Sequence, residues 1–519
     1  MIEAAQKPTI FHSTNWSMVY ARSAMGMLIA LQIAAFSMVS IRIYQTYNAA
    51  GDLTVYEQTF WNSITGHPFQ TTYNWSVHAF WSLVGNNEFL RIPNNASGVG
   101  VHFEPAMMLF WPVFWLWPRP ETLLTLQSAV LGSAAWPVFA LARRKLNSEV
   151  AGLVAGIAFL LCPALAGTGL VDFHAQAFLV LWIGLTFYFL EEEKDVWFAA
   201  CYVCALFTNE IASVTLAMIG LYALVIKKRR RLGIAASLVP LAYFWVVTDV
   251  VIPHFSLYGH YIFTGYFSHW GGSPLGLIRA FMASPGTVVA FLTGSQQINY
   301  LLALFVPVVF LPLVGLDVLL VASPVLLANL LADNPSQRLM WGHYSASILP
   351  LLYYAAIWGA ARLRNIVENR WSWPSRVSSR WAPARVALVA AVIPLLLFFN
   401  AQFSLWPVTS KLKWDNYQSP MNMGALQRAM ALIPDGASVS TVDSISTHVA
   451  NRRELYLFPV YADRVDYIIL PRTGKIWPLT QQQQDKYLAE LIGQGNDRVI
   501  FDEGGYLVLR RASPEEVGN

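Results

Sequence analysis

Residues 29–43 run Ile-Ala-Leu-Gln-Ile-Ala-Ala-Phe-Ser-Met-Val-Ser-Ile-Arg-Ile, the centre of an apolar stretch from about 24 to 44. A helix needs about 20 mostly apolar residues to cross a bilayer. Lipid offers no partner to a free backbone N–H or C=O, so only helices and closed barrels span it. The stretch lacks the alternation of a barrel strand and predicts a spanning helix. Apolar blocks of the same kind recur at 150–165, 178–190, 232–251, 298–314 and 386–399. Of the 519 residues, 55% are hydrophobic and 12% charged, where a soluble protein carries about 25% charged residues. The expected fold class is therefore mainly α, a polytopic transmembrane helical bundle.

A formal net charge of +4 is too small to imply nucleic acid; the expected surroundings are membrane lipids. The placing of the charge is more informative. Basic clusters at Arg143–Lys145, Lys227–Arg231 and Arg362–Arg385 mark the cytoplasmic side by the positive-inside rule. With Lys7 and Arg22 ahead of the first span, the N-terminus is expected inside. No small-residue cleavage site follows that span, so it reads as an anchor and not a removable signal peptide. The threading gives about eleven crossings: 24–44, 123–141, 147–168, 173–190, a hairpin of 196–207 and 211–226, then 232–252, 298–314, 318–332, 344–361 and 386–401. Met107–Trp117, rich in tryptophan and proline, is expected as an interfacial or re-entrant helix. The whole is a multi-pass protein of the cell membrane, with residues 1–401 as its membrane domain and outer loops at 45–120 and 253–297.

Residues 402–519 change character. Short β-type runs at Ala437–Thr441, Glu454–Phe458, Val465–Leu470, Arg498–Asp502 and Tyr506–Arg510 alternate with helical stretches near Asn422–Ile433 and Gln481–Ile492. They predict a small soluble α/β domain, extracytoplasmic in this threading.

Nine of the ten histidines fall on the expected outer side. Acidic residues at the ends of apolar blocks join them, and charges near a bilayer usually line a cavity or site. Asp52 and Glu57 follow the first span. Asp52 suits a helix N-cap and equally a carboxylate able to take a proton from a hydroxyl. His102 and Glu104 precede Pro105 at a helix start. Asp172 and His174, two apart in very apolar sequence, suit a helix start, a substrate contact or a divalent metal, the one cofactor the residues suggest. Glu210 sits in the tip Thr208-Asn209-Glu210, and Arg338 and His343 in the loop at 333–343. Arg338 has the planar fork that suits phosphate, and it equally suits an interfacial anchor. Cys162, Cys201 and Cys204 lie in apolar segments and read as packing.

Asp52-Leu-Thr-Val-Tyr-Glu-Gln-Thr-Phe-Trp-Asn-Ser-Ile-Thr-Gly-His-Pro-Phe69 resembles the start of an uncharacterised family of prokaryotic predicted membrane proteins. So do Gly100-Val-His-Phe-Glu-Pro105, Val171-Asp-Phe-His174, Thr208-Asn-Glu210, Ala437–Pro459 and Asp466-Tyr467. That family in turn looks like a branch of the GT-C glycosyltransferases, which include the protein mannosyltransferases and aminoarabinose transferases. The resemblance implies a GT-C-like bundle and a polyprenyl-phosphate sugar donor. It also implies an acidic residue in the first outer loop as catalytic base or acceptor-binding group. Asp52 occupies that place and Glu57 is the second candidate; the tight acidic pair of the mannosyltransferases is missing. His102, Glu104, Asp172, His174, Glu210, Arg338 and His343 become candidate substrate contacts. Two rival readings stand beside this one: a transporter or flippase of a lipid-linked or small polar substrate, and a non-catalytic assembly subunit. The sequence identifies no protein partner.

Overall fold

The structure, a computed structural model, describes residues 16–49, 51–84, 91–170, 172–272, 274–340, 342–370, 417–419, 422–474 and 476–512. The expected crossing at 386–401 and the expected domain boundary at 401/402 lie outside these residues.

The chain opens with α1 (Trp16–Gln45), 30 residues long. Among the described residues three helices are long and apolar enough to cross a membrane: Met18–Gln45, Pro120–Lys145 and Arg230–Phe255. The number rises to five if two bent pairs each count as one span, and five shorter apolar helices of 10–17 residues accompany them. Among the described residues, helix length and composition therefore do not confirm the eleven crossings expected.

Two expected straight spans are broken, each for a local reason. Glu149–Leu160 and Pro163–Leu170 meet at 46°, where Pro163 removes a backbone donor and its ring crowds the preceding turn. Pro285–Leu292 and Ser295–Val308 meet at 55°. The expected span 298–314 then stops at Val309 and Phe310, both at positive φ (51° and 54°), a region costly for residues with large side chains. Pro307 and Pro312 flank this break. The expected outer loop at 253–297 is itself largely helical, with turns at Ile262–Trp270, Pro274–Ala283 and Pro285–Leu292.

The first long loop carries α2 (Gly51–Ile64) and α3 (Thr72–Val84). Pro105–Phe110 and Trp111–Leu116 follow, with Trp115, Leu116 and Trp117 all exposed.

The C-terminal region contains all five expected strands: β1 (Val439–Thr441), β2 (Leu455–Leu457), β3 (Tyr467–Pro471), β4 (Asp497–Glu503) and β5 (Tyr506–Arg511). They form one sheet in the order β2-β1-β3-β5-β4. β1 pairs parallel with β2 and β3, and β5 pairs antiparallel with β3 and β4. Met423–Ala431 and Gln481–Gly493 are the accompanying helices.

This sheet does not keep its core to itself. Tyr73, Trp75, Ala79 and Phe80 of α3 share one apolar cluster with Leu455, Leu457, Phe458 and Ile469. Buried polar contacts fix the register between the two parts. Ser76 Oγ accepts the Leu457 N–H at 2.8 Å. Thr72 Oγ1 donates to the Leu455 carbonyl at 2.8 Å. On α2, Thr54 Oγ1 lies 2.7 Å from Ser446 Oγ and 2.9 Å from Thr447 Oγ1. A buried hydroxyl deprived of its partner costs about 1–3 kcal/mol. Thr54→Val is expected to lower the melting temperature of the purified protein by several degrees and to speed protease cutting within 417–512. Unchanged melting and cutting would show that these hydroxyls do not hold the C-terminal region on α2.

Candidate functional site

The site is built around the first turn of α2, whose opening N–H groups have no partner within the helix. Asp172, from another part of the chain, supplies them: its carboxylate accepts from Asp52 N at 3.1 Å and Leu53 N at 2.9 Å, and also from Phe173 N at 2.8 Å. Asp172 is 4% exposed. Burial pushes its pKa well above the usual carboxylate range, the neighbouring Asp52 adds to the rise, and the backbone donors oppose it. Gln127, on the helix Pro120–Ser133, clamps the same turn. It donates to the Asp172 carbonyl at 2.6 Å and accepts from His174 N at 2.8 Å.

This scaffold presents Asp52 to a cavity of about 1240 Å³. The Asp52 side chain is 59% exposed, into the cavity, and its Oδ2 lies 2.9 Å from His174 Nε2. Burial works against the Asp52 carboxylate, but His174 outweighs it and holds the pKa below the usual range. The His174 ring rests 3.7 Å from the His343 ring. Burial and the two neighbouring histidines keep His343 far below its ordinary value.

A second cluster stands on the same cavity. His102 Nδ1 meets Glu210 Oε1 at 2.8 Å, and Tyr261 donates to the same oxygen at 3.1 Å. Burial opposes the imidazolium, yet the Glu210 carboxylate prevails and lifts His102 to about 9. Glu104 accepts from Tyr56 Oη at 3.0 Å and Asn209 Nδ2 at 3.0 Å. Burial raises its pKa, and His102 and Asn209 resist the rise. Asp52, His102, Glu104, His174 and His343 thus line one cavity; Glu210 stands directly behind His102.

The remaining candidates stand elsewhere. Glu57 is five residues beyond Asp52, about 140° round a helix of 3.6 residues per turn. Asp52, Val55, Tyr56 and Thr59 share the cavity face, whereas Glu57 is buried with Oε2 unpartnered. Burial and the nearby Glu121 push its pKa well up. Arg338 is absent from the cavity wall and bonds to carbonyls of the segment after residue 328. Asp172 spends its oxygens on backbone N–H groups, an unsuitable donor set for a cation. Among the described residues no three His, Cys, Asp or Glu side chains gather as metal ligands.

Two contributors escaped the sequence reading. Gln127 has no motif to mark it. Asp443 comes from the C-terminal region, accepts from Tyr73 Oη at 3.0 Å, and stands so close to Gly51 that a side chain there would strike it. Burial lifts Asp443 to about 7, Tyr73 works against the rise and Asp52 adds to it.

The chain matches the model of a family described as "Predicted membrane protein (DUF2079)" over residues 42–508. It belongs to that family. This DUF2079 protein is accordingly an integral membrane protein. No curated protein matches it. Among solved structures it is similar to ArnT from Cupriavidus metallidurans bound to undecaprenyl phosphate, with a TM-score of 0.52 and 14% identity over 97% of this chain and 99% of the other. The apo state of ArnT matches with a TM-score of 0.49 and 14% identity over 94% and 98%. The DUF2079 chain therefore has an ArnT-like fold.

Two outcomes follow from the geometry. Asp172→Asn turns one acceptor oxygen into an NH₂ facing backbone donors, so it is expected to destabilise the protein by about 1–3 kcal/mol and to displace Asp52; melting and the accessibility of a cysteine at Asp52 check this. His102 has a folded pKa of about 9 against about 6.5 unfolded. Its contribution to stability is complete below about 6.5 and is lost as pH rises through about 9. The melting advantage of the wild type over His102→Gln should shrink across that window.

Proposed function

We propose that this protein is a membrane glycosyltransferase moving a sugar from a polyprenyl-phosphate-linked donor to an acceptor hydroxyl on the extracytoplasmic face. The observation that carries the reading is Asp52, an ionised carboxylate beside His174 on the wall of a large cavity. Its lining is partly polar, with His102, Glu104, His174 and His343, and partly apolar, with Phe244, Trp245, Pro324, Val325 and Leu327 of two apolar helices. A phosphosugar needs lining of the first kind and a polyprenyl chain lining of the second. The likeness to ArnT bound to undecaprenyl phosphate supports the same class of donor.

In this reading Asp52 is the general base, taking the acceptor proton as the hydroxyl attacks the anomeric carbon. The phosphate leaves with its charge and needs little acid assistance. Glu104 and Glu210 orient the polar lining, and the His102 imidazolium faces the leaving phosphate. The reading carries with it the full threading: about eleven crossings, a cytoplasmic N-terminus, and residues 402–519 as an extracytoplasmic domain over the site. A transporter is the second reading, favoured by the two bent helix pairs, since broken helices mark many transporter sites.

The decisive experiment is sugar transfer from a polyprenyl-phosphate donor by purified protein. General-base help is worth about 10²–10⁴-fold, so Asp52→Asn should lose turnover by that order while the protein stays folded. Glu57→Gln should lose less. Near-normal turnover in Asp52→Asn would remove the base assignment. Donor movement across proteoliposomes without any transfer would establish the transporter.

A further inference from the structure

The helix Arg230–Phe255 is 26 residues long and apolar enough to cross a membrane. Between Arg231 and His254 its one charged residue is Asp249. An ionisable side chain in such a helix is costly and usually faces a cavity or site. Asp249 does so: it lines the large cavity together with Phe244, Trp245, Thr248 and Pro253 of the same helix. The spacing 245, 249, 253 beside 244, 248 marks one continuous helix face. The backbone is adapted at this point. Val247–Val251 form a wide π-type turn, in which the Ile252 N–H bonds the Val247 carbonyl five residues back. Pro253 has no N–H to give the Asp249 carbonyl, and its ring crowds that oxygen. Such turns are frequent at functional sites.

Asp249 is exposed, and Thr248 Oγ1 donates to its Oδ2 at 2.9 Å. A carboxylate has about four lone-pair sites, so most of its accepting capacity is open to a ligand. With Asp52 and Glu104 it is the third carboxylate on the cavity wall, and among the described lining residues there is no lysine or arginine. His102 is paired with Glu210, and His174 with Asp52. Asp249 stands eighteen residues past Arg231, about 27 Å along a helix rising 1.5 Å per residue, close to the ~30 Å of bilayer hydrocarbon. In the threading that the proposed function carries, Arg231 is cytoplasmic, so Asp249 reaches the outer headgroup level, where Asp52 also lies.

We propose that Asp249 selects the sugar of the lipid-linked donor: its carboxylate accepts hydroxyl hydrogens of a neutral sugar and excludes a sugar that bears a carboxylate of its own. The inference rests on the polyprenyl-phosphate donor class proposed above. In that reading the donor phosphate takes the His102 imidazolium, and no cation of the described lining is left for a second anionic group. Hydroxyl groups suit the open oxygens of Asp249, since hydrogen bonds to an ionised acceptor are the strong ones. A carboxylate on the sugar would meet Asp249 as a like charge, and such a juxtaposition is strongly unfavourable. Trp245, one turn before Asp249 on the same wall, offers an apolar ring face beside it.

The test uses the full-length protein in detergent, titrated by calorimetry with two short-chain donors, the citronellyl-phosphate esters of glucose and of glucuronic acid. The wild type is expected to bind the glucose ester at least about tenfold more tightly. Asp249→Asn keeps the shape and one acceptor oxygen but removes the charge. It should weaken the glucose ester, strengthen the glucuronate ester and bring their ratio close to one, with melting unchanged because the side chain is exposed. A purely structural role would not move that ratio. Equal binding of the two esters by the wild type overturns the proposal, as does a preference that survives in Asp249→Asn. If the wild type binds neither ester, the donor class falls and the proposal with it. If the preference collapses in Asp249→Asn but no sugar is ever transferred, the transferase reading fails and the role of Asp249 stands.

Discussion

The Asp172 carboxylate closing the first turn of α2 is the contact on which the site's geometry depends. Three segments distant in sequence meet in it: the turn at 172–174, the start of α2, and Gln127 on the helix Pro120–Ser133. A helix start must satisfy its opening donors by some acceptor, and here that acceptor lies about 120 residues away. The same turn delivers His174 to Asp52. Order in the first long loop is thus tied to the membrane-helix bundle, and Asp52 is fixed in both position and charge.

The other side of α2 meets the C-terminal region, through Thr54, Gln58 and the hydroxyls of Ser446 and Thr447. With α3 sharing the sheet's apolar cluster, α2 is held between the bundle and the sheet. Gly51 matters for the same reason. Without a side chain at that position, Asp443 can close on the first turn, leaving three carboxylates, Asp52, Asp172 and Asp443, around one helix start. Such crowding raises the electrostatic cost of full ionisation. Asp172 and Asp443 bear that cost, both shifted upward, while His174 keeps Asp52 low.

What the sequence made legible follows from the range of each signal. The five strands of the sheet are local patterns, and they could be placed to within a few residues; the apolar blocks marked a membrane protein but not where its helices break. Asp52, His102, Glu104, Asp172, His174 and Glu210 stood out because polar groups at the ends of apolar blocks need a reason to be there. Long-range contacts left no such mark. Gln127 looks like any single polar residue in an apolar helix, and Asp443 like any acid in a soluble segment. The separation of Asp52 from Glu57 depends on helix phase, which is fixed only once α2 is known to begin at Gly51. The kink at Val309 and Phe310 requires backbone angles that no composition announces.

The charge on the large cavity sets a further constraint on what it can hold. Among the described residues lining it there is no lysine or arginine. His343 and His78 are held low, His78 at about 4, each chiefly by burial. His102 is lifted to about 9 because Glu210 stands behind it. A leaving phosphate here would therefore meet an imidazolium whose charge is already balanced by a carboxylate, not a free cation. That pairing lets a cationic group persist in a buried site without a ligand. It also explains why His102 and Glu210 must be treated as one unit: removing Glu210 would leave His102 to burial alone, which favours the neutral ring.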